Sequence, residues 1–245
     1  MNETLEAMAR ALFKSWFVDF DPTRAKAEGR QPAHMDADTA ALFPNTFGDE
    51  GLPLEWSSGE LGDLISIFDS LRIPLSSRER TKRPGPYPYY GATSVMDYVD
   101  DFLFEGVHLL VGEDGSVIHE DGKPFLQYVW GKFWVNNHAH VLRGKNGAST
   151  ECIYCLLQQA NISAFVTGAV QPKLNQKNLK SIPIILPSAA AFTAFDRKIK
   201  DIFSQVRHNN EENRTLTELR DTLLPKLMSG EIRVRDAEKE VEAIE

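Results

Sequence analysis

Four side chains near the middle of the sequence are of the types that bind zinc. Cys152 and Cys155 form a CxxC pair, and His138 and His140 stand two positions apart, so both imidazoles would share one face of a strand. Together they could form a His2Cys2 site. The cysteines, however, fall in an apolar helical run, where buried thiols are common. We therefore predict that this chain holds no metal.

A second pair of residues could support metal-dependent nuclease chemistry. Asp121 and Lys123 flank one glycine, with further carboxylates upstream, as in the acid-x-Lys part of such nucleases. An Asp-Gly pair between two apolar runs is first of all a hairpin turn. The sequence also has no phosphate-binding glycine loop, dinucleotide-binding glycine signature or nucleophile elbow. We predict that the chain by itself is not an enzyme and carries no cofactor.

Basic and amide side chains that cluster in loops are better candidates for a functional site. Arg and Lys can read guanine in the major groove, Asn and Gln can read adenine, and other such groups hold phosphates. The clustering favours DNA binding over a merely solvated surface. The predicted DNA-binding residues are Arg72, Ser76, Ser77, Arg78, Arg80, Lys82, Arg83, Tyr90, Asn136, Asn137, His138, Lys173, Asn175, Gln176 and Lys177.

The formal net charge of −8 conceals a segregation of charge along the chain. Residues 91–122 carry eight acids and no Lys or Arg, whereas residues 123–180 carry seven bases against one acid. Residues 72–83 carry five bases against one acid. Basic segments of this kind are the electrostatic footprint of phosphate binding, although solvated faces produce the same charge pattern.

The middle of the chain, which must position these loops, consists of short apolar runs broken by Gly, Asp and Pro. This pattern predicts a strand-rich α+β domain at residues 51–187. We expect a hairpin of residues 107–111 with 117–119, strands at 125–130 and 133–142, and a last strand before Pro187. A helix is expected at 151–159, with Ser149 or Thr150 as its N-cap.

The two ends of the chain are variants of one helical phrase. Asn2, Thr4 and Leu5 recur 211 positions later as Asn213, Thr215 and Leu216. The second phrase closes a run of residues spaced three and four apart from Phe192 to Leu227, which predicts a long helix with a coiled-coil seam. Its partner is expected to be a spacer helix of this chain or of another. The predicted interface residues are Leu5, Met8, Leu12, Trp16, Phe195, Ile199, Ile202, Val206, Asn209, Asn213, Leu216 and Leu223.

These patterns divide the 245 residues into five segments. The sequence shows no apolar run long enough to span a membrane and no secretory signal, and its two cysteines suit a reducing, cytoplasmic setting. The segments are an N-terminal spacer helix (1–21), a connector with one short helix near 36–43 (22–50), the strand-rich domain (51–187), a long C-terminal helix ended by Pro225 and Gly230 (188–230), and an acidic tail (231–245).

Several phrases resemble the second half of the specificity subunit of type I restriction–modification systems. The resemblance covers nearly the whole chain and is most specific at its two ends. The matching phrases are LEAMARALFKSWFVDFDP at 5–22, LFP at 42–44, LP-x-x-W at 52–56, LGD at 61–63, YGA at 90–92, WVNNH at 134–138, TG at 167–168, PKLN at 172–175 and LLPKLMSG at 223–230.

This resemblance implies that residues 51–187 are a target recognition domain that reads one half of a bipartite DNA site. It also implies helical spacers that dock methyltransferase (modification) subunits, with a restriction or motor subunit in the same complex. S-adenosylmethionine, Mg and ATP would be bound by those partners, and no catalysis is expected on this chain.

The chain departs from the family pattern, because members usually carry two recognition domains and this sequence has one. It is either a natural half-size subunit or half of a longer protein. In the first case we expect a homodimer that reads an interrupted palindrome. Two other classes of function are a coiled-coil adaptor whose strand-rich domain binds protein, and a small metal-dependent nuclease that uses Asp121 and Lys123.

Overall fold

The structure is a computed structural model and describes residues 1–168 and 170–236. The chain forms two compact units, one of Ala7–Lys200 and one of Met1–Glu6 together with the chain from Asp201 onward. In the ranges described, no helix is both long and apolar enough to cross a membrane. The predicted acidic tail lies outside the described residues from position 237 on.

The secondary structure combines seven helices with ten strands in the described part of the chain. The helices are α1 (Asn2–Phe17), α2 (Asp21–Ala27), α3 (Ala37–Ala41), α4 (Ser77–Thr81), α5 (Thr150–Leu157), α6 (Gln176–Lys180) and α7 (Ala189–Ser229). The strands are β1 (Ser57–Glu60), β2 (Ile65–Ile67), β3 (Pro84–Tyr90), β4 (Val95–Val99), β5 (Phe104–Glu105), β6 (His108–Gly112), β7 (Leu126–Val129), β8 (Lys132–Val135), β9 (Ala139–Gly144) and β10 (Pro183–Leu186). The predicted α+β class is confirmed.

The strands form three sheets in the larger unit. One is antiparallel with the order β2-β9-β6-β7, and one is mixed with the order β4-β3-β8-β5, in which β3 and β8 run parallel. The third is the antiparallel pair of β1 and β10. Since β1 and β10 lie at opposite ends of the strand-rich segment, their pairing closes it on itself.

Strand β6 is buried on both faces, which explains its uninterrupted apolar sequence. Successive side chains point to opposite faces of a strand, so Leu109 and Val111 enter one hydrophobic cluster and Leu110 enters another. The first cluster also contains Ile153 and Leu157 of α5. Apolar residues on both faces of β6 therefore fix this strand at the centre of the domain.

The predicted hairpin of residues 107–111 with 117–119 is wrong, because β6 pairs with β7 instead. Residues near 117–125 form a smaller hairpin, in which Ile118 bridges to Pro124. Asp121-Gly122 is its turn, as predicted, and Gly122 has a φ of +80° that suits glycine. The predicted strand 133–142 is two strands, β8 and β9, because Asn136 to His138 form a tight turn between them.

Helix α5 begins where the sequence predicts. Ser149 caps it, since its Oγ accepts a hydrogen bond from the Cys152 amide at 3.1 Å. The Ser149 amide in turn donates to Oδ1 of Asp196, in α7, at 2.8 Å. The cap therefore ties α5 to the first part of the long helix.

An aromatic cluster joins the predicted N-terminal helix, connector and long helix inside the larger unit. Phe17 contacts Phe195 at a ring-centroid distance of 4.8 Å, and Trp16 contacts Phe43 at 4.9 Å. Trp56 closes the cluster against Phe17 at 5.7 Å. The connector is thus not wholly polar. It also contains α2, which was not predicted and whose N-terminal turn contains Pro22.

Helix α7 covers the predicted heptad run and passes through Pro225 before it ends at Ser229. The prediction that Pro225 helps to end the helix is wrong, but Gly230 follows the last helical residue with a φ of +74°. In the smaller unit Asn209 donates to Oδ1 of Asn2 at 2.8 Å, and Asn2 donates to the Val206 carbonyl at 3.2 Å. The seam residue Asn209 is therefore satisfied within this chain.

Candidate nucleic-acid interface

Helix α4 is a short basic helix that is held in place by two arginines, Arg80 within it and Arg83 just after its end. Its N-terminus is fixed by a capping box between Ser76 and Glu79. Arg80 donates to the Leu75 carbonyl at 2.8 Å and to Asp97 at 3.1 Å, and its guanidinium lies over the Tyr89 ring. Arg83 pairs with Asp100 at 2.8 Å. Two of the predicted DNA-binding arginines therefore anchor the basic segment to acidic strand β4 and its flank.

The remaining basic side chains of this segment point to solvent. Arg78 and Lys82 stand four positions apart and are exposed. Neither makes a hydrogen bond or ion pair with any residue that the structure describes. Ser77 is also exposed. Two exposed cations beside anchored neighbours form a suitable site for phosphate groups.

Three other segments meet at one junction through backbone hydrogen bonds. The Glu113 amide donates to the His138 carbonyl at 2.8 Å, and the Leu174 amide donates to the Glu113 carbonyl at 2.9 Å. The Gly115 amide donates to the Pro172 carbonyl at 2.9 Å. The structure thereby brings together the predicted groups 136–138 and 171–177, which lie far apart in sequence.

A network of charged side chains adds the first predicted loop to this junction. Arg72 donates to Oε2 of Glu113 at 2.6 Å and to the Ala139 carbonyl at 2.5 Å. Its side chain is only 11% exposed. The donors of Arg72 are therefore directed into the protein, unlike the exposed donors expected from the sequence.

Asp69 is the acceptor at the centre of this network. Its carboxylate accepts hydrogen bonds from the Val141 amide at 2.9 Å and from Gln176 Nε2 at 2.7 Å, and it lies 2.6 Å from His140 Nδ1. Burial by itself would raise the pKa of Asp69. The hydrogen bond and charge of His140, the Val141 amide and Arg72 outweigh burial and lower that pKa.

The ring of His140 lies between two oxygen acceptors. Its Nδ1 faces the Asp69 carboxylate, and its Nε2 lies 2.7 Å from the carbonyl oxygen of Leu174. The buried imidazole therefore joins strand β9 both to the loop at Asp69 and to the segment that precedes α6.

Exposed donors surround this buried network. Asn137, His138 and Lys177 are exposed, and their side chains make no hydrogen bond or ion pair within residues 1–168 and 170–236. Lys173 is half exposed and pairs with Asp114 at 3.1 Å. These side chains, together with Ser77, Arg78 and Lys82, are the predicted DNA-binding residues that remain available to a ligand.

The other predicted DNA-binding residues have structural partners. Asn175 caps α6 by accepting from the Asn178 amide at 2.9 Å. Asn136 is buried, accepts from the His138 amide at 2.8 Å and fixes the turn between β8 and β9. Tyr90 packs edge-on against Phe133, and burial raises the pKa of its hydroxyl. These residues shape the loops.

The predicted zinc ligands do not converge in the described residues. His140 is engaged by Asp69 and Leu174, and burial raises the pKa of the Cys152 thiol well above its usual value. Asp69, Glu113 and His140 do place ligand atoms within 4.8 Å of one another. The Arg72 guanidinium, 2.6 Å from Glu113 and 3.5 Å from Asp69, already supplies a cation to that cluster.

The proposed nuclease pair lies on the exposed turn of the small hairpin. Lys123 Nζ is 2.9 Å from Asp121 Oδ2, and a side-chain hydrogen bond to Lys123 lowers the pKa of Asp121. Asp121 belongs to no group of three possible metal ligands in the part of the chain that the structure describes. The pair therefore has the geometry of a turn and lacks the further carboxylates that a metal-dependent nuclease uses.

The predicted helical interface residues divide into buried and exposed sets. Trp16, Phe195, Ile199, Val206, Asn209 and Leu223 are buried within this chain. Leu5, Leu12 and Ile202 are partly exposed. Met8, Asn213 and Leu216 are exposed, as are Leu224 and Met228 farther along α7. The exposed set is the part of the seam available to a partner.

Sequence reasoning missed Asp69, Glu113 and His140 as the residues that join the predicted loops. Glu113 falls in the connection of the hairpin predicted from residues 107–111 and 117–119, and His140 falls among the possible zinc ligands. One signal for them was present, since each of these polar residues stands at or beside the end of an apolar strand. The pairing of His140 with Asp69 across 71 positions, and of Glu113 with Arg72 across 41, could not be deduced from spacing.

A family model described as "Type I restriction modification DNA specificity domain" matches residues 53–220. The chain belongs to this family. The predicted family is thus confirmed, and the match covers both the strand-rich segment and the first three quarters of α7.

Individual specificity subunits are similar to the chain over much of its length. A putative type I restriction enzyme specificity subunit of Haemophilus influenzae is 36% identical over 144 residues, which cover 59% of this chain and 36% of that protein. The HindI specificity subunit of the same organism is 26% identical over 95% of this chain and 62% of its own length. The MjaIX specificity subunit of Methanocaldococcus jannaschii is 25% identical over 96% and 54%. The chain thus spans about a third to two thirds of these relatives.

The fold is also similar to a solved structure of the same kind. The S subunit of a type I restriction–modification system from M. genitalium aligns with a TM-score of 0.52 at 18% identity. The alignment covers 92% of this chain and 56% of the other. At this identity the likeness supports the fold.

Proposed function

We propose that the chain is a non-catalytic DNA specificity subunit whose strand-rich domain reads one half of a bipartite DNA site. The observation that carries this proposal is the set of exposed, unpaired donors on loops that are themselves tightly hydrogen-bonded. Arg78, Lys82, Asn137, His138 and Lys177 belong to this set. The family description, which names DNA specificity, supports the same function.

The donors fall into two groups with different expected targets. Arg78 and Lys82 stand on a short helix as point charges that suit phosphate oxygens. Asn137 and His138 lie at the turn between β8 and β9, and Lys177 lies in α6 next to the buried network. An amide side chain can bind adenine, and a lysine can bind guanine, so this second group is proposed to contact base edges.

The helices are proposed to dock methyltransferase subunits and to set the spacing between two half-sites. The exposed apolar side chains of α1 and α7, such as Met8 and Met228, support this part of the proposal. A restriction or motor subunit would join the same complex in the cytoplasm. S-adenosylmethionine, Mg and ATP would then be bound by those partner subunits, where methyl transfer and ATP hydrolysis occur.

A second copy of the chain is the proposed partner of the distal part of α7. From residue 210 to residue 222 this helix is exposed on nearly all sides, and Leu216 is 54% exposed. An isolated helix gains most of its stability from a buried apolar face, so this stretch needs a partner helix. A twofold pair would place two recognition domains in one particle and favour an interrupted palindrome.

Electrophoretic shift titrations of the chain, alone and with its modification subunits, test the proposal at several salt concentrations. Log K is expected to fall linearly with log salt and to depend on duplex sequence. Absence of salt-dependent affinity in both samples would contradict DNA recognition and favour the protein-binding adaptor. Metal-dependent cleavage of the DNA that is lost in Asp121→Ala would instead favour the nuclease.

A further inference from the structure

Two of the residues expected from the sequence to touch DNA have their polar atoms directed into the protein. Arg72 binds Glu113, the Ala139 carbonyl and the Asp69 carbonyl, the last at 3.1 Å. Gln176 binds the Asp69 carboxylate. The contacts of Arg72 with Glu113 and Ala139, and of Gln176 with Asp69, join segments that are separate in sequence.

The contacts of Arg72 fix the route of the first loop. From Asp69 the chain leads to Ile73, whose carbonyl accepts the Trp134 indole N–H at 2.6 Å, and to Leu75, whose amide donates to the Tyr89 hydroxyl at 2.9 Å. Helix α4 begins directly afterwards. The orientation of α4, and thus of Arg78 and Lys82, therefore depends on a loop that Arg72 holds at its start.

The contact of Gln176 fixes the loop that precedes α6 at the point where this helix begins. Gln176 is the first residue of α6, directly after the N-cap Asn175. Its amide reaches Asp69, while His140 reaches the Leu174 carbonyl two positions earlier. The exposed Lys177 is the next residue, so its backbone is held directly beside the contact between Gln176 and the buried Asp69 carboxylate.

We propose that Arg72 and Gln176 are positioning residues of the DNA interface, which hold the base-reading loops in register through Asp69 and do not touch DNA. This inference rests on the proposed function. Its physical basis is that a contact site displaced by about 1 Å loses directional hydrogen bonds to bases but keeps most of its attraction to phosphates. Positioning residues should therefore govern discrimination between sequences more than overall affinity.

The test compares Gln176→Met with the control Lys82→Met, at a position proposed to bind phosphate, in the full-length chain. Gln176 is exposed apart from its contact with Asp69, and Met keeps its length, so the substitution removes one donor with little change of volume. The probes are a duplex enriched from a randomised library by the unsubstituted chain and a scrambled duplex of the same composition. Affinity for each is measured against salt concentration.

Gln176→Met is expected to lower the ratio of the two affinities by about fivefold or more, because a misplaced base contact costs about as much as a mismatched base pair. The slope of log K against log salt should not change. Lys82→Met removes a charge that is proposed to bind a phosphate, so it is expected to make that slope shallower by about 0.9 and to leave the ratio unchanged. The ratio is insensitive to the fraction of folded protein, since misfolding lowers both affinities equally.

Arg72→Lys is a second test of the positioning role, for the case in which Gln176→Met changes the affinity ratio too little to measure. Arg72→Lys retains the positive charge but cannot form the same set of hydrogen bonds to Glu113 and Ala139. It should lower the affinity ratio in the same way. An unchanged ratio in both variants, or a shallower salt slope in Gln176→Met, would overturn the positioning role alone. An unsubstituted chain that prefers no duplex would overturn the proposed function as well.

Discussion

The side-chain amide of Gln176 donates a 2.7 Å hydrogen bond to the carboxylate of Asp69, 107 positions earlier in the chain. The same carboxylate binds His140 at 2.6 Å and the Val141 amide at 2.9 Å. A single buried carboxylate thus connects the first loop, strand β9 and helix α6. Three stretches that carry exposed donors share this acceptor, so its charge bears on both stability and function.

Asp69→Asn is expected to destabilise the chain by about 3–5 kcal/mol near neutral pH, because it leaves the buried Arg72 guanidinium without one of its carboxylate partners. The pKa of Asp69 is lower in the folded chain than its usual value of 3.8. Its stabilising effect is therefore complete well above pH 3.8 and is lost as pH falls through the lower folded pKa. Urea unfolding of both proteins between pH 7 and pH 3 measures the difference.

The difference between the two unfolding free energies should narrow towards the acid end of this series if the Asp69 carboxylate accounts for it. Asp121→Asn is the matched control, since Asp121 is an exposed carboxylate on a turn. It should leave the free energy of unfolding nearly unchanged across the same pH range. A constant gap between wild type and Asp69→Asn down to pH 3 would contradict this role of the carboxylate.

Arg78→Ala and Lys173→Ala are each expected to weaken DNA binding roughly fivefold without a change in thermal stability, because a charge-assisted contact with DNA is lost. Each should also make the salt dependence of binding shallower. Electrophoretic shifts at three salt concentrations, with thermal unfolding in parallel, measure both effects. Arg10→Ala removes an exposed charge from α1 and should leave DNA affinity unchanged. Unchanged affinity in both Arg78→Ala and Lys173→Ala would show that other loops contact DNA.

Phe195→Ala and Leu216→Asp are expected to affect different properties, although both residues belong to the predicted helical seam. The first should lower folding stability, and the second should weaken association of two chains. Phe195 is fully buried against Phe13, Trp16 and Phe17, so Phe195→Ala should destabilise the chain by about 3–5 kcal/mol. Leu216→Asp should leave the fold intact and shift the mass in light scattering from dimer to monomer. A wild-type mass equal to that of one chain would contradict the proposed dimer.

Local patterns in the sequence predicted several elements of the fold with their boundaries. Ser149 with the apolar run behind it predicted α5, and the three-and-four spacing from Phe192 predicted α7. Such signals are local, because capping and helical periodicity involve residues within a few positions of one another. The turn at Asp121-Gly122 is of the same kind.

Pairings between distant segments could not be predicted in this way. Residues 107–111 were paired with the next apolar run, whereas β6 pairs with β7 and β9. The choice depends on burial of both faces of β6, which spacing alone does not reveal. The roles of Arg72 and Gln176 were obscured for a similar reason. The Ala139 carbonyl that binds Arg72 is 67 positions away from it, and the Asp69 carboxylate that binds Gln176 is 107 positions away. Spacing alone does not show that these side chains face such partners and not solvent.

Selection from a randomised duplex library tests sequence-specific DNA recognition most directly. The full-length chain, alone and with its modification subunits, is incubated with the library, and the bound duplexes are sequenced. We expect enrichment of one short motif, repeated as an interrupted palindrome if two copies assemble. Arg78→Ala should reduce the yield of bound duplex while the motif stays the same. Recovery of duplexes with no enriched motif in either sample would contradict sequence-specific recognition.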